Sequence, residues 1–86
     1  MNSDTVKAYF DGVLLAAYGV RFFGGMVAEW QLDSVKECAT KFKEAEIDHS
    51  SLPYHEKGEL KLQWKQLLEA SCQGIKDELR RDGRLI

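Results

Sequence analysis

Proline occurs once, at Pro53, and cysteine twice, at Cys38 and Cys72. A single proline excludes a proline-rich linker or polyproline segment. Two cysteines exclude the disulfide framework that small secreted domains rely on. Both fall in helical patterns, where a free thiol packs like a small apolar side chain. Free thiols in a reduced, cytoplasmic setting are therefore expected, with a Cys38–Cys72 bridge as the alternative. Long hydrophobic runs are missing too. The longest uncharged run, Gly12–Val20, is far shorter than the roughly 20 apolar residues needed to cross a bilayer. No membrane partner is expected. Asp4 and Asp11 interrupt the start, where a secretory signal would carry a basic segment and an apolar core, so no leader is expected.

An excess of one charge is also absent. Twelve Lys and Arg face 14 Asp and Glu, a net charge of −2, with a pI near 5.6. A dedicated nucleic-acid binder carries a basic face and a high pI. Residues 1–58 sum to −3 and residues 59–86 to +1. The local exception is the end of the chain, where Lys76, Arg80, Arg81 and Arg84 are interleaved with Asp77, Glu78 and Asp82. Asp77 and Arg81 have the i,i+4 spacing of a helical ion pair, and cations suit the end of a helix. A contact with phosphate or an acidic partner is the competing reading of these arginines.

Signatures of chemistry are scarce. The only histidines, His49 and His55, flank Pro53 and belong to no Cys-x2-Cys or His-x3-His pair, so no metal is expected. Asp48, His49, His55 and Glu56 are the one loop set that could hold an ion, and solvated loop histidines are the simpler reading. No Gly-x-Ser-x-Gly, phosphate loop or Gly-x-Gly-x-x-Gly occurs. A nucleophile, a histidine and an orienting acid need a preformed pocket, and a core this small leaves little room for one. No catalytic residue and no cofactor are expected.

What is present is apolar periodicity. Hydrophobic residues make up 44% and charged residues 30% of the 86 positions, which suits one globular domain over residues 1–86. From Asp4 to Tyr18, the residues Val6, Tyr9, Phe10, Val13, Leu14 and Ala17 trace one helix face. Ser3 or Asp4 caps its start and Gly19 ends it. Ala8, Gly12 and Ala16 form a second, smooth line that predicts close approach of another backbone. Leu15 extends the apolar circumference, so this helix is expected to be central to the fold or shared with a partner. Ser34-Val-Lys-Glu37 reads as a capping box opening the next helix. Its buried stripe is predicted as Val35, Cys38, Ala39, Phe42 and Ala45. After a connector around Pro53, a long helix is expected from about Glu59 to Asp82, starting at Pro53 in the alternative. Leu60, Trp64, Leu67, Leu68, Ser71, Ile75 and Leu79 form its stripe. Its C-terminal half is expected to project, dimerise or present a surface. No strand pattern competes. The expected fold is all-α, a small bundle of three to four helices with a long C-terminal helix.

The segment Gly19–Leu32 is the most unusual. Phe22 and Phe23 precede Gly24-Gly25, and Trp30 follows, with a short helix possible over Met26–Gln31. Either the aromatic rings close one end of the core, or they are exposed as anchors. Aromatic residues and arginine dominate binding hot spots. The candidate partner-binding residues are Arg21, Phe22, Phe23, Met26 and Trp30, with Arg80, Arg81 and Arg84 secondary.

The run Ala8–Phe22 resembles the start of phage replication proteins of the helicase-loader type and of small phage proteins related to them. Tyr18, Gly19, Arg21, Phe22, Trp30, Lys36 and Phe42 are the matching positions, within the first half of the chain. The proline-rich segment and long remainder of such proteins are missing. The resemblance implies a phage or prophage context and a small modulator or inhibitor of a host protein. The expected function is thus a non-enzymatic module that binds another protein. The alternative is a nucleic-acid-associated regulator acting through its basic C-terminal helix end. A homodimer formed by pairing of the last helices is compatible with the first reading.

Overall fold

A computed structural model describes residues 2–19 and 25–86. Among them, three helices account for nearly all regular structure: α1 (Ser3–Tyr18), α2 (Glu29–Asp48) and α3 (Tyr54–Arg81). All three pack against one another, so the all-helical expectation holds, at three helices among the described residues.

The helix boundaries follow local chemistry, with three shifts from expectation. Asn2, rather than Ser3 or Asp4, caps α1, its Oδ1 accepting from the Thr5 N–H at 2.8 Å. That start places Asp4 in the first turn, where a carboxylate favours the helix dipole. Gly19 closes the helix at φ 68, its N–H bonding the Leu15 carbonyl. Second, α2 begins at Glu29, not Ser34. The Gln31 side chain accepts from the Ala28 N–H at 2.9 Å and satisfies one free donor of the new start. Starting upstream puts Leu32 into the core at 0% exposure and brings Asp33 to Lys76 at 2.7 Å. Ser34 is left in the second turn as a surface residue, and the expected short helix over Met26–Gln31 is absorbed into α2. Third, α3 opens at Tyr54 with Pro53 just before it, the alternative start rather than the one near Glu59. Pro53 disfavours helix at Leu52 and ends the connector there. Lys57 and Lys61 then bond the Asp48 carbonyl and carboxylate, at 2.8 and 2.6 Å, tying the first turns of α3 to the end of α2.

The core is a single cluster. Val6, Phe10 and Leu14 of α1 meet Leu32, Val35, Ala39 and Ile47 of α2, and Trp64, Leu68, Cys72, Ile75 and Leu79 of α3. Tyr9 and Val13 are half-buried against it, as expected of that face, but Ala17 is exposed. Burial of Ile75 and Leu79 shows that the C-terminal half of α3 is packed rather than projecting. The stripe predicted for α2 is rotated. Val35 and Ala39 are buried as predicted, but Cys38, Phe42 and Ala45 are exposed, while Leu32, Ile47 and the stem of Lys43 face inward. Lys43 replaces an apolar residue there because its ammonium lies over two aromatic rings, 4.6 Å from the Tyr9 centroid and 4.4 Å from that of Trp64. These rings meet edge to face at 5.4 Å, and Glu46 pairs with the ammonium at 3.0 Å. Close backbone approach along Ala8, Gly12 and Ala16 is not used: all three are exposed, and a Cβ at Gly12 would meet nothing within 4 Å. Both cysteines are free, Cys38 exposed and Cys72 buried, so the alternative bridge does not form.

Candidate protein-interaction surface

Where α3 ends, the chain reverses. Gly83 has φ 70, a conformation that glycine adopts without steric cost. Its N–H bonds the Arg80 carbonyl at 3.2 Å, and the Arg84 N–H bonds that of Leu79 at 2.8 Å. This pair of bonds is the Schellman arrangement, which satisfies carbonyls that a helix end leaves open. The reversal lays residues 84–86 beside residues 25–27. The Val27 N–H donates to the Arg84 carbonyl at 2.8 Å, and the Ile86 N–H to the Val27 carbonyl at 2.7 Å. Val27 and Leu85 thus form one isolated parallel bridge. Successive side chains of extended backbone point to opposite sides. Val27 is therefore buried at 1% exposure and Leu85 half-buried against the core, while Met26 and Ile86 stand out at 58% and 73%.

Arginines border this bridge. Arg84 Nε donates to the Gly25 carbonyl at 3.0 Å. Arg80 bonds Glu29 in the first turn of α2 at 3.1 Å, and Asp77 at 3.4 Å. The expected Asp77–Arg81 pair is therefore replaced by Asp77–Arg80. Arg81 is exposed and forms no ion pair among the described residues. Trp30, next to Glu29, is 66% exposed; it does not close the core.

Two candidate sets far apart in the sequence thus share one end of the molecule. Met26, ahead of α2, and Trp30, in its first turn, lie beside the Arg80–Arg84 segment. Arg21, Phe22 and Phe23 lie outside the described residues. Ile86, outside the candidate set, belongs with the exposed apolar residues. A two-residue apolar tail was its only signal, and its direction depends on pairing with Val27.

Charges elsewhere are mostly occupied. Hydrogen bonding from Lys76 holds the Asp33 carboxyl below the usual carboxylate range, and Lys61 does the same for Asp48. Burial pushes the Asp11 carboxyl and the Cys72 thiol upward. An open groove of about 440 Å³ between α2 and α3 is lined by acidic and basic residues alike, including Asp33, Lys36, Glu44 and Lys65. Among the described residues no three His, Cys, Asp or Glu side chains are grouped to hold a metal ion. His49 and His55 are exposed, and Asp48 is engaged by lysines. No helix is long and apolar enough to cross a membrane among the described residues.

Fold and surface together define a small three-helix protein with a mixed apolar and arginine-bearing end. Comparison with protein families, curated proteins and solved structures finds no match to this chain.

Proposed function

We propose that this protein is a non-enzymatic binding module that docks its α2-start and tail end onto another protein. Met26, Trp30 and Ile86 act as apolar anchors. Arg81, with Arg80 and Arg84, forms the charged rim that sets orientation. The observation that carries this reading is the exposure of Trp30 and Met26, at 66% and 58%, beside arginines about fifty positions further along the chain. A large exposed aromatic next to arginine has the composition of a hot spot. The mechanism is occlusion or recruitment of the partner. The resemblance carried by Tyr18, Gly19, Arg21, Phe22, Trp30, Lys36 and Phe42 supports a phage or prophage setting, with a host protein in the cytoplasm as the target.

Binding of nucleic acid through the basic end is less favoured. Arg80 is already held by Glu29 and Asp77, and Arg84 is spent on Gly25. Phosphate would have to displace those partners.

The test is capture from a host lysate with and without nuclease, comparing the wild-type chain with Trp30→Ala and Met26→Ser. The expected result is a stoichiometric protein retained by the wild type and lost by at least ten-fold with Trp30→Ala, while circular dichroism is unchanged. Equal capture by folded Trp30→Ala protein rejects this surface. Recovery of nucleic-acid proteins alone, abolished by nuclease and steeply weakened by salt, supports the second reading.

A further inference from the structure

Among the described residues, Val27 is the one buried core side chain that no helix carries. It is 1% exposed. A buried N–H or carbonyl has to find a partner, and both of these groups of Val27 find theirs in one place. The N–H donates to the Arg84 carbonyl at 2.8 Å, and the carbonyl accepts from the Ile86 N–H at 2.7 Å. Two further contacts fasten the same segment. Arg84 Nε donates to the Gly25 carbonyl at 3.0 Å, and Leu85 packs half-buried against the core. The bridge is isolated from any other strand among the described residues. Residues 84–86 thus lie as a strap across residues 25–27.

The bonds from the Gly83 and Arg84 N–H groups belong to the end of α3 and do not depend on the strap being down. The bonds that hold it all join residues 84–86 to residues 25–27, so they leave together. Three hydrogen bonds and one half-buried leucine, set against the freedom of three residues, leave the docked and undocked states close in free energy. Undocking strips buried Val27 of both backbone partners, so residues 25–27 have to turn towards water. Met26 lies inside that stretch and moves with it. Trp30 does not, because the Arg80–Glu29 pair at 3.1 Å and the Gln31–Ala28 bond at 2.9 Å hold the first turn of α2.

We propose that residues 84–86 are a strap whose docking on Val27 sets the position of Met26, and so switches the α2-start surface between an assembled and a loosened state. Docked, Met26 and Ile86 stand out from the bridge at 58% and 73% exposure, with Trp30 in place. Undocked, Trp30 stays and the other two apolar anchors part. A partner that grips all three favours the docked state, and its apparent affinity falls with the docked fraction. This consequence for binding rests on the docking surface proposed above. The coupling of the strap to Met26 does not.

The experiment is nuclear magnetic resonance on the full chain with labelled methionine methyls, comparing wild type with Leu85→Ser. Leu85 packs on the core and is no part of the docking surface. Leu85→Ser is expected to speed amide exchange at Val27 and Ile86 in step, by about ten-fold, and to move the Met26 methyl resonance. Exchange at Leu68 in α3 and acrylamide quenching of Trp30 stay as in the wild type, which shows that the bundle is folded. The opposite variant carries Val27→Cys and Leu85→Cys in a Cys38→Ser background, since facing residues of a bridge are close enough for a disulfide. Oxidised, it is expected to slow exchange at Ile86 and to fix the Met26 resonance; reduction releases both. Should Leu85→Ser fail to fold, this comparison decides instead. A Met26 resonance that stays put while Val27 and Ile86 exchange faster overturns the proposal. So does faster exchange at Ile86 alone, which would mean fraying without release of Val27. Partner capture separates the strap from the surface. A several-fold loss with Leu85→Ser supports control by the strap. Full capture by Leu85→Ser, with capture lost by Trp30→Ala, overturns that control and leaves the surface standing. Full capture by both variants rejects the surface, and the Met26 resonance still decides the strap.

Discussion

Lys43 shows how one side chain can serve a core while remaining charged. Its stem fills a position on the inner side of α2, and its ammonium is shared by the Tyr9 and Trp64 rings and Glu46. Cation–π contacts at partly desolvated sites contribute roughly 1–2 kcal/mol. Lys43→Ala should therefore lower unfolding stability by about 2 kcal/mol, through both lost packing and lost charge. Lys43→Met, which keeps the stem, should cost about half of that. Urea denaturation of the two variants separates the two contributions. Asp33 and Asp48 allow a second expectation. Both carboxyls are held below their ordinary range by lysine hydrogen bonds. Their stabilisation is complete above the unfolded carboxylate pKa of about 3.9 and is lost as pH falls through the lower folded values. Asp33→Asn with Asp48→Asn should flatten the acid limb of a stability–pH curve below about pH 4. Asp11 has the opposite sign, because burial raises its pKa; acid relieves it. Lys61 and Lys76 are raised by the same bonds. Their contribution holds below about pH 10 and fades as pH climbs through the folded values.

Glycine means different things in different elements of this chain. Gly83 sits at φ 70 in the turn that reverses the chain after α3. Gly83→Ala places a Cβ in a left-handed conformation and should destabilise by roughly 1–2 kcal/mol. It should also loosen the Val27–Leu85 bridge, read as faster amide exchange at Val27 and Ile86. Gly74 lies inside α3 with open space around it. Gly74→Ala should stabilise by about 0.5–1 kcal/mol, since only backbone freedom in the unfolded chain changes. Both variants are read as shifts of urea midpoint at constant slope. Helix limits follow the same logic of competing local and distant terms. Ser34-Val-Lys-Glu37 is a good local start, and an isolated peptide has reason to begin there. In the folded chain, burial of Leu32 and ion pairs from Glu29 and Asp33 to α3 outweigh a cap worth about 1 kcal/mol. On the other side of the connector, Pro53 and the lysine bonds to Asp48 draw α3 back to Tyr54 despite Gly58.

The molecule as a whole is an elongated bundle, 44 × 20 × 19 Å, with its two tryptophans in contrasting places. Trp64 is 9% exposed in the core and Trp30 is 66% exposed at the candidate surface. Acrylamide should quench one of two emission components, and Trp30→Phe should remove that accessible component while leaving thermal unfolding nearly unchanged. Trp64→Ala, by contrast, should cost about 3–5 kcal/mol, as truncation of a buried aromatic does. Partner docking at the α2 start should protect the Trp30 component alone.

Periodicity and breakers alone determined a good deal of this protein. The face carrying Val6, Phe10 and Leu14 and the stripe from Trp64 to Leu79 are legible because helical spacing reports which side is dry. Gly19 marks an element limit because glycine takes φ 68 without steric cost, and Pro53 because its ring disfavours helix at the residue before it. Tertiary structure decided the rest. The rotation of α2, which exposes Cys38, Phe42 and Ala45, depends on where α1 and α3 press, and a lysine can take a core position only when two rings lie opposite it. The meeting of Met26 and Trp30 with Arg80, Arg81 and Arg84 depends on the reversal at Gly83 and two backbone hydrogen bonds to Val27. Residues so far apart in the chain become neighbours only when long-range packing closes the bundle, and local pattern carries no record of that closure.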